Sequence, residues 1–278
     1  MDLGELKLPH NQFEVASRFL AVCLADARIV AAFVGGSHAR GQADEYSDLD
    51  LYFVTTDEAY QEFLAEKARF AGKLGKLLFL EDFGQPHGYL FIHENGAEGE
   101  FWFGRQSDFQ DICSGPYKVL FDRYGILPGG VFPTAVAAQA NQLGLLRRQI
   151  DLFWHELSHF VKAMGRKQWW FAYGQIEAMR RMCVILTRLN HDFGDADVAE
   201  GEPYFKIETY LPVEALLPLQ ATCCAIEEHA LLEAGNTLCD YFMALAPAVA
   251  KSHGLVYSVE LEKLMRAELG KLGQQPRV

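Results

Sequence analysis

The residues whose types and spacing best suit chemistry lie in one segment, VGGSHARGQADEYSDLDLYFV, residues 34–54. A β-type run ends at its first valine, and Gly35 and Gly36 then remove Cβ atoms, so that the backbone can come close to a ligand. Ser37 adds a hydroxyl and an amide donor beside them. This combination suits a phosphate group, and we predict that Gly35, Gly36 and Ser37 bind one.

Two aspartates open the next predicted strand. Asp48 and Asp50 are two residues apart, which aims both carboxylates at one face of a strand, while Leu49 and Leu51 point to the other face. Like charges this close repel each other unless a cation lies between them. Hard carboxylate oxygens select Mg²⁺, which usually takes one or two protein carboxylates together with the phosphate oxygens of a substrate.

The order and spacing of these groups resemble the nucleotidyltransferase superfamily of DNA polymerase β. The resemblance is carried by Gly36, Ser37, Asp48 and Asp50, within the extended pattern GSxARG…SDxDL that has His38 at its variable position. It implies that the carboxylates hold two Mg²⁺ ions on a nucleoside triphosphate and that the turn holds the β- and γ-phosphates. It also implies a third carboxylate on a later strand.

Two glutamates before the alternating run FWFG are candidates for the third carboxylate. Glu100 would share one face of that strand with Trp102, and we choose it because a carboxylate directly before an apolar alternation is how the resemblance presents this group. The superfamily usually has aspartate there, which is one methylene shorter. In the alternative interpretation, Glu98 and Glu100 flank a solvated turn, ENGAEG.

The role of Arg40 stays open between two interpretations. Its guanidinium can contact the phosphates from the glycine turn, as a cofactor-binding residue. It can equally form an exposed ion pair with Asp44, four residues later.

The first half of the chain is predicted to be rich in strands. Two runs that flank the glycine turn, RIVAAFVGGS and LDLYFV, have strand character, and residues 57–75 have the periodicity of an amphipathic helix. Further strands are predicted at KLLFLEDF, GYLFIHE, GEFWFG and YKVLF. Proline and glycine then concentrate in GILPGGVFPT, residues 125–134, where we expect a domain boundary.

Helical periodicity dominates the second half. Apolar residues recur at three- and four-residue spacing over residues 135–164, 168–189, 216–244 and 259–269. Helices packed as a bundle would bury those stripes. We therefore predict an α+β fold, with a nucleotidyltransferase domain of a small mixed sheet flanked by helices over residues 1–130 and an all-α bundle over residues 131–278.

A competing motif, HELSH, matches the HExxH pattern of zinc proteases. On a helix it places His155 and His159 on one face to bind zinc, with Glu156 as a general base, and Glu177 downstream could be a third ligand. Such proteases need a sheet edge beside the helix to align a peptide, which an all-helical half lacks. In the alternative interpretation, the two histidines are polar residues on the surface or between helices.

The helical half also resembles a more specific group. The run FWHELSHFVKAMGRKQWWFAYGQIEAMRRMCVILTRL, residues 153–189, is similar to the C-terminal domain of antibiotic nucleotidyltransferases of the lincosamide and aminoglycoside type. Arg180 or Arg181 could close over a triphosphate, with Glu177 facing the acceptor. The alternative is that Glu177 and Arg181 form an exposed helical pair and that Arg180 and Arg188 are equally superficial.

The net charge and the apolar runs of the chain indicate which classes of partner it can bind. A formal net charge of −12 disfavours nucleic acid, because neutralisation of phosphates supplies most of that affinity, and it suits a cationic small molecule. No apolar run approaches the roughly 20 residues of a membrane-spanning helix. The chain start shows no export signal, so we expect a cytoplasmic protein with its six cysteines reduced and no membrane partner.

The resemblance implies the transfer of a nucleoside monophosphate, AMP from ATP, to a hydroxyl group of a small molecule such as an aminoglycoside or a lincosamide. Asp48, Asp50 and Glu100 would be the catalytic and metal-binding residues, with two Mg²⁺ ions and ATP or another nucleoside triphosphate as co-substrate. Two alternatives are an antitoxin-like enzyme that adenylylates a protein and an HExxH zinc metalloprotease. The oligomeric state is not predicted.

Overall fold

The structure is a computed structural model that describes residues 3–109, 112–113, 115–127, 129, 131–132, 139–195, 198 and 201–273. Contacts divide the chain into two compact units, Met1–Ala135 and Val136–Val278. The predicted boundary between residues 130 and 131 stays a prediction, because residue 130 and residues 133–138 lie outside the described residues.

The first unit is built on a six-stranded sheet. Its strands and the short strands beside it are β1 (Ile29–Val34), β2 (Leu49–Thr55), β3 (Leu77–Glu81), β4 (Gly88–His93), β5 (Glu98–Arg105), β6 (Gly115–Pro116), β7 (Lys118–Asp122) and β8 (Val131–Phe132). The sheet has the order β3-β4-β5-β2-β1-β7, and β6 pairs with β8 separately. Strands β2 and β5 run parallel, whereas the other neighbours are antiparallel. The sheet is mixed, which confirms the predicted α+β class.

Both faces of this sheet are packed with aromatic side chains. The helices of this unit are α1 (His10–Ala25), α2 (Gly36–Arg40) and α3 (Tyr60–Ala71). Phe19 of α1 and Phe70 of α3 contact Phe53 of β2 on one face, with ring centroids 6.1 and 4.6 Å from it. On the other face Phe33 stacks on Tyr52 at 5.0 Å. Residues of β2 therefore alternate between two cores, and both faces hold that strand in place.

Helix α1 was not among the predicted elements. It buries Val15, Ala16, Phe19 and Cys23, a three- and four-residue spacing that typifies an amphipathic helix. The rule that predicts the helices of the second half would therefore have predicted this one.

The second unit consists of packed helices, as predicted. They are α4 (Gln139–Gly165), α5 (Trp169–His191), α6 (Ile207–Tyr210), α7 (Val213–Gln220), α8 (Glu228–Ser252) and α9 (Val259–Leu272). Phe153 of α4 stacks on Phe242 of α8 with centroids 3.7 Å apart. Gly235 lets the same two helices approach, because a Cβ there would lie 2.5 Å from the Phe160 ring. The apolar stripes are buried between helices, as their periodicity predicts.

The single helix predicted over residues 216–244 is wrong. Helix α7 ends at Gln220, a turn follows, and α8 begins at Glu228. In the turn, Arg180 donates from Nε to the Thr222 hydroxyl at 2.8 Å and from Nη2 to the Thr222 carbonyl at 2.7 Å. The apolar period continues across the break because both helices bury leucines in one core; periodicity reports burial rather than helix continuity.

No disulfide joins any of the six cysteines, all of which the structure describes. Cys223 is exposed and Cys224 partly exposed, since both lie in the turn between α7 and α8. Within the described residues, no helix combines the length and hydropathy needed to cross a membrane.

A buried ion pair fixes the end of α5, and it corrects the expectation that Arg188 is superficial. Arg188 is fully buried and binds both carboxylate oxygens of Asp195, at 2.6 and 3.0 Å. It also donates to the carbonyl oxygens of Pro203 and Phe205. One side chain thus ties the helix to the segment that follows it.

We predict that Asp195→Ala lowers the free energy of unfolding by about 3–5 kcal/mol, because it leaves the Arg188 guanidinium buried without its counter-ion. The matched control is Asp240→Ala, which breaks an exposed pair with Arg266 and should cost less than about 1 kcal/mol. Urea unfolding of both variants measures the difference. Equal losses in the two variants would contradict the structural role given to the buried pair.

Candidate active site

The glycine turn lies directly against the Asp50 carboxylate. Strand β1 ends at Val34, and the Gly35 amide donates to the Asp50 carbonyl oxygen at 3.1 Å. Gly36 opens α2 with a φ of +56°, and a Cβ at this position would lie 1.6 Å from Asp50 Oδ2. No other residue fits there, both because the backbone is in the left-handed region and because the carboxylate occupies the space of a side chain.

The next two residues of the turn differ in what they can offer a ligand. The Ser37 hydroxyl is buried and has no hydrogen-bond partner within the described chain. A buried hydroxyl in that state is costly unless a ligand or water supplies the partner. The His38 ring is 2% exposed, and burial lowers its pKa, so it is neutral at pH 7 and turned away from solvent.

A hydrogen-bonded turn directly precedes the aspartates. The Asp44 carboxylate accepts from the Ser47 hydroxyl and the Tyr46 amide, both at 3.0 Å. Asp48 follows this turn and is exposed, whereas Asp50 is partly buried within β2. Leu49 and Leu51 are fully buried on the opposite face. The alternation therefore puts Asp50 on the same face of the sheet as Tyr52.

Parallel pairing brings a third carboxylate to this face. The register between β2 and β5 sets Glu100 directly beside Asp50. The Tyr52 hydroxyl donates to Glu100 Oε1 at 3.5 Å. Glu98 is exposed at the start of β5, where it pairs with Ile92 of β4. The structure therefore sets Glu100, rather than Glu98, next to Asp50.

Burial and neighbouring charge raise the pKa values of Asp50 and Glu100. Burial, followed by the charges of Asp48 and Glu100, raises the pKa of Asp50 from 3.8 to about 7, while Arg40 opposes the shift. Burial is also the main reason that the pKa of Glu100 is raised, and the Asp48 charge adds to it. Half-buried acids under this mutual repulsion are stabilised by a bound cation.

The spacing of the acids suits an ion shared with a ligand. The possible ligand atoms of Asp48, Asp50 and Glu100 do not all lie within 4.8 Å of one another. Within the described residues, the one group of three side chains that meets this distance lies in the helical unit. Mg²⁺ usually takes only one or two protein carboxylates and completes its shell with phosphate oxygens and water. The acids, with the turn against them, fit that mode of binding.

The other site residue predicted from the sequence, Arg40, is exposed at the end of α2. Asp44 is engaged in its own turn, and no ion pair of Arg40 with it occurs within the described residues. The interpretation of Arg40 as the partner of Asp44 in an exposed ion pair is therefore wrong. The Arg40 charge instead acts on Asp50.

The arginines of α5 are occupied structurally, and the alternative that Arg180 is superficial is wrong. Arg180 is buried and binds Glu177 as well as Thr222, and Glu177 also accepts from the Tyr204 hydroxyl at 2.8 Å. Arg181 donates to the Gly201 carbonyl at 2.6 Å, so the predicted pair of Glu177 with Arg181 is wrong. Glu177 is likewise not available as a third zinc ligand.

The HELSH residues lie together on α4. Ligand atoms of His155, Glu156 and His159 all lie within 4.8 Å of one another. The described part of the second unit, residues 139–195, 198 and 201–273, contains no strand. The sheet edge that an HExxH protease uses to align a peptide is therefore missing from those residues.

Comparisons with known proteins add a family. A family model described as streptomycin adenylyltransferase matches residues 10–271. Comparison with curated proteins gives no match. Among solved structures, the crystal structure of an aminoglycoside 6-adenyltransferase from Bacillus subtilis is similar with a TM-score of 0.41 and 15% identity. That similarity covers 96% of this chain and 100% of the other.

We predict that Asp50→Asn stabilises the metal-free protein above pH 7. A carboxyl group whose pKa rises from 3.8 to about 7 on folding holds its proton more tightly in the folded state. Its contribution is therefore lost as the pH rises from 4 to 7. Removal of the charge should raise the free energy of unfolding by about 1–2 kcal/mol at pH 8 and by little at pH 4.

Denaturant unfolding at both pH values, with a chelator present, measures this. Glu45→Gln, which removes an exposed carboxylate from the loop before β2, is the control and should change stability by less than about 0.5 kcal/mol. Destabilisation by Asp50→Asn at pH 8 would mean that the carboxylates are not crowded as described.

Proposed function

The chain belongs to the streptomycin adenylyltransferase family, and from that premise we propose that it transfers AMP from ATP to a hydroxyl group of an aminoglycoside of the streptomycin class. Family membership confirms the predicted enzyme class, a nucleotidyltransferase, and the resemblance to antibiotic nucleotidyltransferases. In the proposed reaction, the acceptor oxygen bonds to the α-phosphorus, the bond from that phosphorus to pyrophosphate breaks, and the hydroxyl proton passes to a base.

The approach of Gly36 to Asp50 is the observation that carries this proposal. It places a turn whose backbone no side chain covers directly beside a carboxylate. Glycine is required there, because φ is +56° and a Cβ would lie 1.6 Å from Asp50 Oδ2. A nucleoside triphosphate with bound metal needs both features, because its phosphates need donors and its cation needs carboxylates.

The turn binds the phosphates in the proposed complex. Ser37 supplies the hydroxyl that has no partner in the described chain, and Gly35 and Gly36 let the backbone approach the β- and γ-phosphates. Arg40 is an exposed cation at the other end of the same short helix and neutralises phosphate charge. These contacts hold the pyrophosphate leaving group in place. The α-phosphorus is thereby oriented for in-line attack by the acceptor oxygen.

Asp48 and Asp50 are the proposed ligands of Mg²⁺, with Glu100 as the third carboxylate. If these residues hold Mg²⁺, the ion would supply Lewis-acid polarisation of the α-phosphate and a positive charge to offset the negative charge that develops on pyrophosphate. The observations that support this fit are the raised pKa values of Asp50 and Glu100, which result from burial among like charges.

The charge of the chain supports a cationic acceptor. A net charge of −12 and a partly buried cluster of carboxylates create a negative field, which attracts a polycationic aminoglycoside and repels nucleic acid. A lincosamide carries less positive charge and gains less from that field. Streptomycin is therefore the first acceptor to test, with a lincosamide as the comparison.

The test is pyrophosphate release from ATP and Mg²⁺ in the presence of streptomycin, other aminoglycosides and a lincosamide. We expect release that depends on streptomycin, and we expect Asp48→Asn to lower kcat by about a thousandfold because it removes a metal ligand. Glu45→Gln alters an exposed acid three residues earlier and should leave kcat within about twofold.

Two outcomes would contradict this proposal. One is pyrophosphate release that is unaffected by Asp48→Asn. The other is the absence of release with every antibiotic, together with radiolabel from ATP on a polypeptide of a cell lysate, which would favour protein adenylylation instead.

A matched pair of variants on β5 identifies the third carboxylate. Glu100→Gln should lower kcat by about a hundredfold or more, because Glu100 is the register neighbour of Asp50. Glu98→Gln, two residues earlier and exposed, should change kcat by less than about threefold. Steady-state kinetics at saturating ATP measures both variants, and the reverse ranking would assign the role to Glu98.

A further inference from the structure

We propose that His155, Glu156 and His159 form a zinc-binding site on a partly exposed face of α4. The site lies in the helical unit, whereas the carboxylates proposed to bind Mg²⁺ lie in the sheet unit. The proposal concerns metal binding, not proteolysis, and it does not depend on the proposed transferase function.

Helical geometry brings the three side chains together. His155 and His159 are one turn apart, and their ring centroids are 4.3 Å apart. The ligand atoms of both histidines and of Glu156 lie within 4.8 Å of one another, and no other group of three within the described residues does so. Tetrahedral ligands about 2.0–2.2 Å from zinc are about 3.3 Å apart, so side-chain rotations close the site without movement of the helix.

The cluster has no competing structural task. Phe153, Leu157 and Phe160 on the other face of α4 supply its packing, and all three are fully buried. Glu156 is paired with His155 Nδ1 at 3.0 Å, and within the described residues no lysine or arginine forms an ion pair with it. The carboxylate thus has the His155 imidazole as its neighbour, and the side chain of His155 is 59% exposed, so that an ion can enter.

The ligand chemistry selects zinc over magnesium. Two imidazole nitrogens and one carboxylate oxygen form a borderline set that binds Zn²⁺ well, whereas Mg²⁺ prefers oxygen alone. Phe171 of α5 packs beside His159, with ring centroids 6.4 Å apart, and restricts the orientation of that ring. Three protein ligands leave one position of a tetrahedral ion for water.

The test measures bound zinc in the full-length chain, with the carboxylate site removed by Asp48→Asn and Asp50→Asn. Equilibrium dialysis against micromolar zinc with millimolar Mg²⁺ present, followed by elemental analysis, should give about one zinc per chain. His155→Ala and His159→Ala should each abolish it, and Glu156→Gln should weaken it about tenfold or more. Circular dichroism verifies that each variant is folded.

His229→Ala is the matched control. His229 is an exposed helical histidine with Glu233 four residues later, at 4.0 Å, and so has an acid but no second histidine in the pair. It should leave the zinc content unchanged. Zinc that survives both His155→Ala and His159→Ala, or a parent chain that takes up none, would overturn the proposal, and neither result bears on transferase activity.

Discussion

The mutual repulsion of carboxylates at the centre of the sheet is the constraint on which the candidate active site depends. Parallel pairing of β2 with β5, within a sheet that is otherwise antiparallel, sets Asp50 beside Glu100. Partial burial there raises the pKa of both groups. Aromatic packing on both faces of β2 holds the strand in its register despite this repulsion. Core packing thus keeps the carboxylates close together, and a bound cation would reduce the repulsion between them.

The strand-turn-strand unit joins two kinds of recognition in one short segment. The Asp50 side chain is the one proposed to bind a cation, and its backbone carbonyl accepts the Gly35 amide, so one residue also fixes the turn that is proposed to bind phosphate. Because Gly36 has no side chain, nothing separates the turn from that carboxylate. Substitution at Gly36 would therefore disturb both proposed contacts at once, whereas substitution of Ser37, whose hydroxyl lacks a partner in the described chain, would change the proposed phosphate contact alone.

In the helical unit, residue type alone does not predict function. Arginine often binds phosphate, yet Arg180 and Arg188 are buried and bind carboxylates and carbonyl oxygens within their own unit. They order the irregular segments that connect helices, where backbone carbonyls lack helical partners. In the HELSH segment, by contrast, His155 is exposed on α4 and His159 is partly exposed one turn later. Burial and hydrogen-bond partners, rather than residue type, thus identify these arginines as structural.

From the sequence alone came the features that depend on near neighbours: the glycine turn, the two aspartates at the start of the next strand, the strands of the sheet, most helices of the second half and the type of chemistry. These follow from local spacing, because alternation and helical period act over a few residues. Tertiary structure alone decided the partner of each strand, the choice between Glu98 and Glu100 beside Asp50, the break between α7 and α8, and the burial of Arg188. Each of these depends on contacts between residues far apart in the chain, whose energies no local pattern encodes.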